Sequence, residues 1–369
     1  MKSKTIKKVL RQKFDDFVGS ITDEKVQALV RKNSIITGGS IASMLLREKV
    51  NDYDIYLKDV KTVLAVCAYY IKEFGPDAPK MNVIVRFADE SYCVVSPDRI
   101  DSEGNINMEG LALRIDKPEI GLPTEEKKEA SFEYEDIDRV MIRVKSQGVA
   151  KESDYECDDT PEEYQGNIAG IHEDNEMALE NYLAASPAET NSTYLEECAE
   201  NAEVDMPKPD SRPKYRPVFI SSNAITLANK VQLIIRFFGD ADEIHANYDF
   251  AHCTCYWESD DGKLTLPNEA LECLLTKELR YRGSRYPLAS IIRAKKFVLR
   301  GFTINAGQYL KMCMQLNELD LTKLSVLEDQ LMGVDAFYFA SMIAKIPEDK
   351  KIDGTIDSTY LITMIDRFF

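Results

Sequence analysis

TGGSIASMLLREKVNDYDIYLK, residues 37–58, is the stretch on which the fold turns. Gly38, Gly39 and Ser40 open an apolar run, IASMLLRE (41–48), that reads as a short helix with Ser40 as its cap. DYDIYLK (52–58) then reads as a strand. On a strand, alternate residues share a face, so Asp52 and Asp54 project together while Tyr53 and Ile55 point the other way. Two adjacent carboxylates repel and are costly to desolvate. A hard divalent cation, Mg²⁺ or Mn²⁺, removes that cost. A helix N-terminus offers unpaired N–H groups and partial positive charge to phosphate, and glycine lets the backbone approach closely. The pattern therefore predicts an anion cradle beside a metal-binding pair, which suits a nucleoside triphosphate carried on Mg²⁺.

Working outward, ITDEKVQALVRK (21–32) reads as an amphipathic helix with Thr22 as N-cap, and SIIT (34–37) as a short strand. VKTVLAVCAYYIKEFG (60–75) has apolar residues at helical spacing and a glycine stop. MNVIVRFA and SYCVVS predict a hairpin around Asp89-Glu90; 99–135 is turn-rich, and 138–150 is a further strand. Residues 151–210 carry 18 Asp+Glu against 2 Lys+Arg, a solvated acidic insertion with one helix expected at NEMALENYLAA (175–185). Pro207, Pro209, Pro213 and Pro217 mark its exit. PVFISSNAITL, KVQLIIRFF (230–238) and YDFAHCTCYW (248–257) are β-rich, and from Pro267 the pattern turns helical through NEALECLLTKELRY, LASIIRAKKFVLRG, AGQYLKMCMQLNEL and DAFYFASMIAKI.

The net charge of −17 sits almost wholly in the acidic insertion, so it excludes no nucleic-acid partner. The chain has no apolar run near the ~20 residues that span a bilayer and no secretory signal; eight scattered cysteines without a CxxC pair read as reduced thiols. A cytoplasmic, intracellular protein with no membrane partner is expected. Residues 277–300 hold eight Lys+Arg and one Glu, with Arg293 and Lys296 on one helix face. They suit a triphosphate or an acceptor strand's phosphates, or, more plainly, a solvated face balancing the insertion. His252, Cys253 and Cys255 lack zinc spacing, and His252 reads as a core residue. P-loop, HExxH and GxSxG motifs are absent.

Gly-Gly-Ser, eleven residues from Ile41 to Asn51, then Asp-Tyr-Asp-Ile resembles the signature of the DNA polymerase β-like nucleotidyltransferase superfamily. SSNAITLANKVQLIIRFFGDADEIHANYDFAHC with IIRAKKFVLRGF is similar to nucleotidyltransferase-like proteins of phages and large DNA viruses. The resemblance implies an α/β (α+β) fold: a mixed sheet with flanking helices, an acidic insertion and a C-terminal helical domain. Its boundaries are a core in two parts, 1–150 and 212–263, an insertion at 151–211 and a helical domain at 264–369. It also implies a third carboxylate on a neighbouring strand. Asp249 is the chosen position, with Asp138 and Asp136 as competitors. Two metal ions held by Asp52, Asp54 and Asp249 would then serve the transfer of a nucleoside monophosphate from an NTP, bound at Gly38, Gly39, Ser40, Arg293 and Lys296, to a hydroxyl acceptor. An RNA or DNA 3′ end is the first acceptor expected; a protein side chain, a second nucleotide, or a binding protein that has lost the chemistry are the alternatives.

Overall fold

The computed structural model describes residues 2–74, 81–89, 91–114, 131–143 and 214–323, with the short pieces 128–129, 147–148, 351–352 and 355–356 and residues 326 and 330. The expected helices at 175–185 and 335–346, and the whole acidic insertion (151–211), lie outside the described residues. The chain is a mixed α/β protein built on a mixed sheet with packed helices.

Two helices open it: α1 (Ser3–Val18) and α2 (Glu24–Lys32). In α1, Ile6, Leu10, Phe14 and Phe17 recur at helical spacing and are buried, with Phe14 edge-on to Trp257 at 5.4 Å. The cap of α2 is Asp23, not Thr22: its carboxylate accepts from the Lys25 and Val26 N–H groups, whereas Thr22 bonds to the Tyr69 hydroxyl.

The main sheet comes next. β1 (Ser34–Thr37) leads through α3 (Gly39–Leu46) into β2 (Tyr53–Leu57), which pairs antiparallel with β1. α4 (Val60–Phe74) follows; its residues Val63 to Ile71 are buried all round, because it packs against strands of both sheets. The second sheet holds the expected hairpin, β3 (Asn82–Phe87) and β4 (Tyr92–Val95), with β5 (Ala112–Arg114), β6 (Lys128–Glu129) and β7 (Ile137–Arg143), in the order β6-β5-β4-β3-β7. The chain then returns to the main sheet with β8 (Gln147–Gly148), β9 (Pro217–Ile220), β10 (Ala224–Leu227) and β11 (Val231–Phe238). β11 runs parallel to β2, placing Gln232 beside Asp54.

After the short helix α5 (Ala241–His245) come β12 (Tyr256–Glu258) and β13 (Leu264–Thr265), completing the order β13-β12-β1-β2-β11-β10-β9-β8. The stretch 248–257 is therefore not one strand. Residues 251–253 form a 3-10 turn held by the Thr254 hydroxyl donating to the Ala251 carbonyl, and only 256–258 pair with β1. β-prone composition does not make a strand where the chain crosses the end of a sheet rather than lying along it. The alternation of faces expected across 249–255 is lost with it. Among the described residues, α6 (Asn268–Thr276), α7 (Pro287–Leu299) and α8 (Ala306–Leu316) follow. Ala270, Leu274, Phe297 and Met312 from these helices join the same apolar core as the sheet. The six described cysteines are all free thiols.

Candidate functional site

Thr37 ends β1, and Gly38 turns the chain with φ 89° and ψ −149°, a backbone region open essentially to glycine alone. The Gly38 N–H donates to the Cys253 carbonyl at 3.2 Å, pinning this turn to the 251–253 segment. α3 begins at Gly39 with Gly38 as its N-cap, so Ser40 lies within the first turn rather than capping it. The Ser40 hydroxyl is buried and has no hydrogen-bond partner. An orphaned buried hydroxyl costs about 1–3 kcal/mol unless something outside the chain satisfies it. Arg47, in the left-handed region at φ 62°, ends the helix and sends the chain back toward β2.

Asp52 and Asp54 return beside this turn. A Cβ placed on Gly38 would lie 2.9 Å from Asp54 Oδ2, so the second carboxylate rests directly against the glycine. In register, Asp54 sits between Thr37 of β1 and Gln232 of β11. Asp52 lies just before β2, close enough for its charge to act on Asp54, and the face of Asp54 continues to Tyr56, whose hydroxyl bonds with that of Tyr248. Burial, then the neighbouring Asp52 charge, push the Asp54 carboxyl well up; burial also raises Asp52. Against this, the charges of Arg293 and Lys296 act on Asp54, and those of Lys296, Arg300 and Lys230 on Asp52. α7 thus turns a basic face to the carboxylate pair. Arg300, just past its end, donates to the Ser43 hydroxyl at 3.0 Å and pairs with Glu48, which Lys277 also contacts at 2.9 Å. These bonds tie the end of α3 to the helical part of the chain.

The pair is of the kind that suits a divalent cation: two hard carboxylates whose mutual repulsion a cation would relieve. The expected trio is not assembled. β11, the strand parallel to β2, has no carboxylate and offers Gln232 at the register of Asp54. Asp249 lies in the turn before the 3-10 segment, where its Oδ2 accepts from Arg293 Nη1 at 3.1 Å. Among the described residues, no group of three or more His, Cys, Asp or Glu side chains gathers as a metal site. Of the competitors, Asp138 is exposed on β7 and bonds to Arg139, and Asp136 accepts from the Glu133 N–H within the turn 134–136.

Thr37, Tyr56, Tyr248 and His245 escaped the sequence reading, although Tyr56 continues the 52, 54, 56 alternation. His245 Nε2 bonds with the Thr37 hydroxyl at 2.8 Å. His252 lies buried with its ring 4.3 Å from that of Phe297, as expected of a core histidine. Burial and the Arg282 charge hold His245 down at about 4, and burial with Arg300 and Lys277 holds His252 at about 3. An unfolded histidine takes its proton near pH ~6.5. The two histidines therefore contribute full stability above that pH, and it is lost as pH falls toward about 4. Urea unfolding at pH 7, 6 and 5 is expected to show stability falling by up to ~1.4 kcal/mol per unit for each histidine. His252→Phe should remove one proton's share of that slope, and an unchanged slope would refute the assignment.

Residues 8–277 match the model of the Gabija anti-defense 2 family. The chain belongs to the Gabija anti-defense 2 family. The match takes in the glycine turn, Asp52, Asp54 and Asp249, and stops short of α7. A curated relative, Gabija anti-defense 2 of Bacillus phage SPbetaL7, is 25% identical over 161 residues, covering 43% of this chain and 37% of the relative. The aligned stretch thus spans little more than a third of that relative's length. This phage relative supports the phage or viral affiliation. No solved structure matches the chain. Among the described residues no helix is long and apolar enough to cross a membrane.

Proposed function

We propose that this member of the Gabija anti-defense 2 family is a metal-dependent nucleotidyltransferase that counters Gabija defense by transferring a nucleoside monophosphate from an NTP to a hydroxyl acceptor. The observation that carries the reading is the closeness of Gly38 to the Asp54 carboxylate, which brings the start of α3 beside the Asp52/Asp54 pair within reach of the charges of α7; the reading takes the first as the phosphate site and the second as the metal site. Asp52 and Asp54 hold Mg²⁺, which when bound supplies charge neutralisation for the phosphates and the leaving pyrophosphate. The N–H groups at Gly39 and Ser40, together with the Ser40 hydroxyl, receive phosphate oxygens. Arg293 and Lys296 neutralise the rest of the polyphosphate. The local order supports the reading: the glycine turn after β1, the short helix α3 and the strand β2 carrying Asp54 follow one another as in the turn–helix–strand signature that the sequence resembles.

An RNA or DNA 3′ end is the acceptor first suggested by the sequence. Family membership favours a second acceptor, a hydroxyl on a protein of the Gabija defense itself. Incubation of the purified chain with each labelled NTP, Mg²⁺, and RNA, DNA or the Gabija proteins separates them. Label in none of the three pools, under conditions where the chain blocks Gabija defense, sinks the reading. A thermal melt gives an earlier check. ATP with Mg²⁺ at a hundredfold excess over its dissociation constant is expected to add ~2.7 kcal/mol and raise the midpoint by several degrees. ATP with a chelator should give a clearly smaller rise.

A further inference from the structure

Asp249 is buried at the protein's interior end of an ion pair, its side chain 8% exposed, while Arg293 is 39% exposed and reaches it from α7. The two are 44 residues apart in sequence. Arg293 is bound to Asp249 and at the same time acts on the charge of Asp54 and Tyr56. Lys296, one turn later on α7, acts on Asp52 and Asp54 together. The Asp249 backbone is fixed as well: its carbonyl accepts the Arg282 N–H at 2.8 Å, and the following Phe250 pairs with Tyr281. A held carboxylate therefore anchors one end of a guanidinium whose charge reaches Asp54. A guanidinium presents its donors as a flat fork, so fixing one edge fixes the direction of the others. Left unpaired, a long side chain on a half-exposed face would sample many rotamers and lose that aim.

We propose that Asp249 is a positioning residue rather than a metal ligand: it orients Arg293 so that the guanidinium grips the phosphates of the nucleotide bound at Asp52 and Asp54. The proposal rests on the nucleotidyltransferase reading and divides its acidic residues differently. Asp52 and Asp54 hold the metal; Asp249 holds an arginine. Asp249 then belongs to nucleotide affinity, and the metal site is complete without it.

The test compares the full-length chain with Asp249→Asn, Arg293→Ala, Arg293→Lys and Asp52→Asn. Free Mn²⁺ is titrated by electron paramagnetic resonance without nucleotide, and ATP binding and steady-state kinetics are measured with Mg²⁺. Asp249→Asn is expected to leave Mn²⁺ affinity unchanged and to raise the KM for ATP about tenfold with kcat within about twofold, the size of one lost charge-assisted bond. Arg293→Ala should match or exceed that effect. Arg293→Lys, which keeps the charge and loses the fork, should fall between wild type and Arg293→Ala. The double variant Asp249→Asn/Arg293→Ala should be no worse than Arg293→Ala alone, because the carboxylate acts through the arginine. Loss of Mn²⁺ affinity in Asp249→Asn comparable to that in Asp52→Asn overturns the proposal, as do additive effects in the double variant. If Asp249→Asn fails to fold, the Arg293 series decides: unchanged ATP affinity in Arg293→Ala overturns the proposal. A wild-type chain that binds no nucleotide removes the underlying reading along with it, whereas binding unaffected by Asp249→Asn removes the positioning role alone.

Discussion

Asp54→Asn, and equally Asp52→Ala or Asp54→Ala, is expected to abolish nucleotidyl transfer while leaving the protein folded. The loss should be on the order of a thousandfold or more in kcat/KM, equivalent to ~4 kcal/mol of transition-state stabilisation. The stability change should run the other way. Asp54 is driven toward its neutral form by burial and by the charge of Asp52. A carboxyl raised in the fold costs stability wherever the unfolded chain would ionise it, so at neutral pH the ligand-free protein carries that cost. Asparagine keeps the shape and removes the charge. The ligand-free variant should therefore melt at or above the wild-type temperature, and the Mg²⁺-dependent rise on adding ATP should vanish. Opposite signs for stability and activity identify a residue kept for function at the expense of the fold. Turnover at the wild-type rate in any of these variants would remove the mechanism, and a fall in the ligand-free melting temperature would refute the electrostatic account of the pair.

Gly38→Ala is the second change with a large expected effect, and Gly39→Ala is its control. At Gly38 the backbone conformation costs a non-glycine residue about 1–3 kcal/mol. In addition, the new Cβ would stand 2.9 Å from Asp54 Oδ2, so the carboxylate has to move. A displacement of this kind at a reacting centre costs roughly a hundredfold in rate. Gly38→Ala should thus lower the melting temperature by several degrees and cut transfer about a hundredfold. One residue on, Gly39 is helical, and a Cβ there meets nothing within 4 Å. Gly39→Ala is expected to leave stability unchanged or raise it by about 0.4–1 kcal/mol. The open space is where a phosphate would approach the backbone, so Gly39→Ala should still weaken ATP binding. Equal melting temperatures for the two variants would contradict the geometry of the turn, and full ATP affinity in Gly39→Ala would place the phosphates elsewhere.

Much of this arrangement is legible within a few residues. The presence of a helix after the glycine pair, the two neighbouring aspartates and the β3–β4 hairpin follow from glycine placement and period-two alternation, which are local properties of the chain. The limits of such reading are also local in origin. Residues 248–257 have the composition of a strand, yet Gly38 N–H binds the Cys253 carbonyl and the chain turns across the end of the sheet. Ser40 looks like a cap because it precedes an apolar run, but the helix takes up Gly39 first and buries the hydroxyl. β5 and β6 are so short that no alternation announces them. The five-stranded sheet is recognisable only once β3 and β7 have paired.

What the sequence by itself determined is the glycine turn and the two aspartates beside it, because all of their parts lie within 22 residues and their directions follow from backbone periodicity. Only the tertiary structure decided which charges face that pair and what Asp249 binds. Long basic side chains reach several ångströms from their backbone, and their partners depend on where a helix comes to rest. The packing of Ala294 and Phe297 of α7 into the shared core carries Arg293 to Asp249 and Lys296 toward Asp52 and Asp54. No short-range pattern in the chain encodes that docking, because it is set by the burial of apolar side chains contributed from every part of the fold.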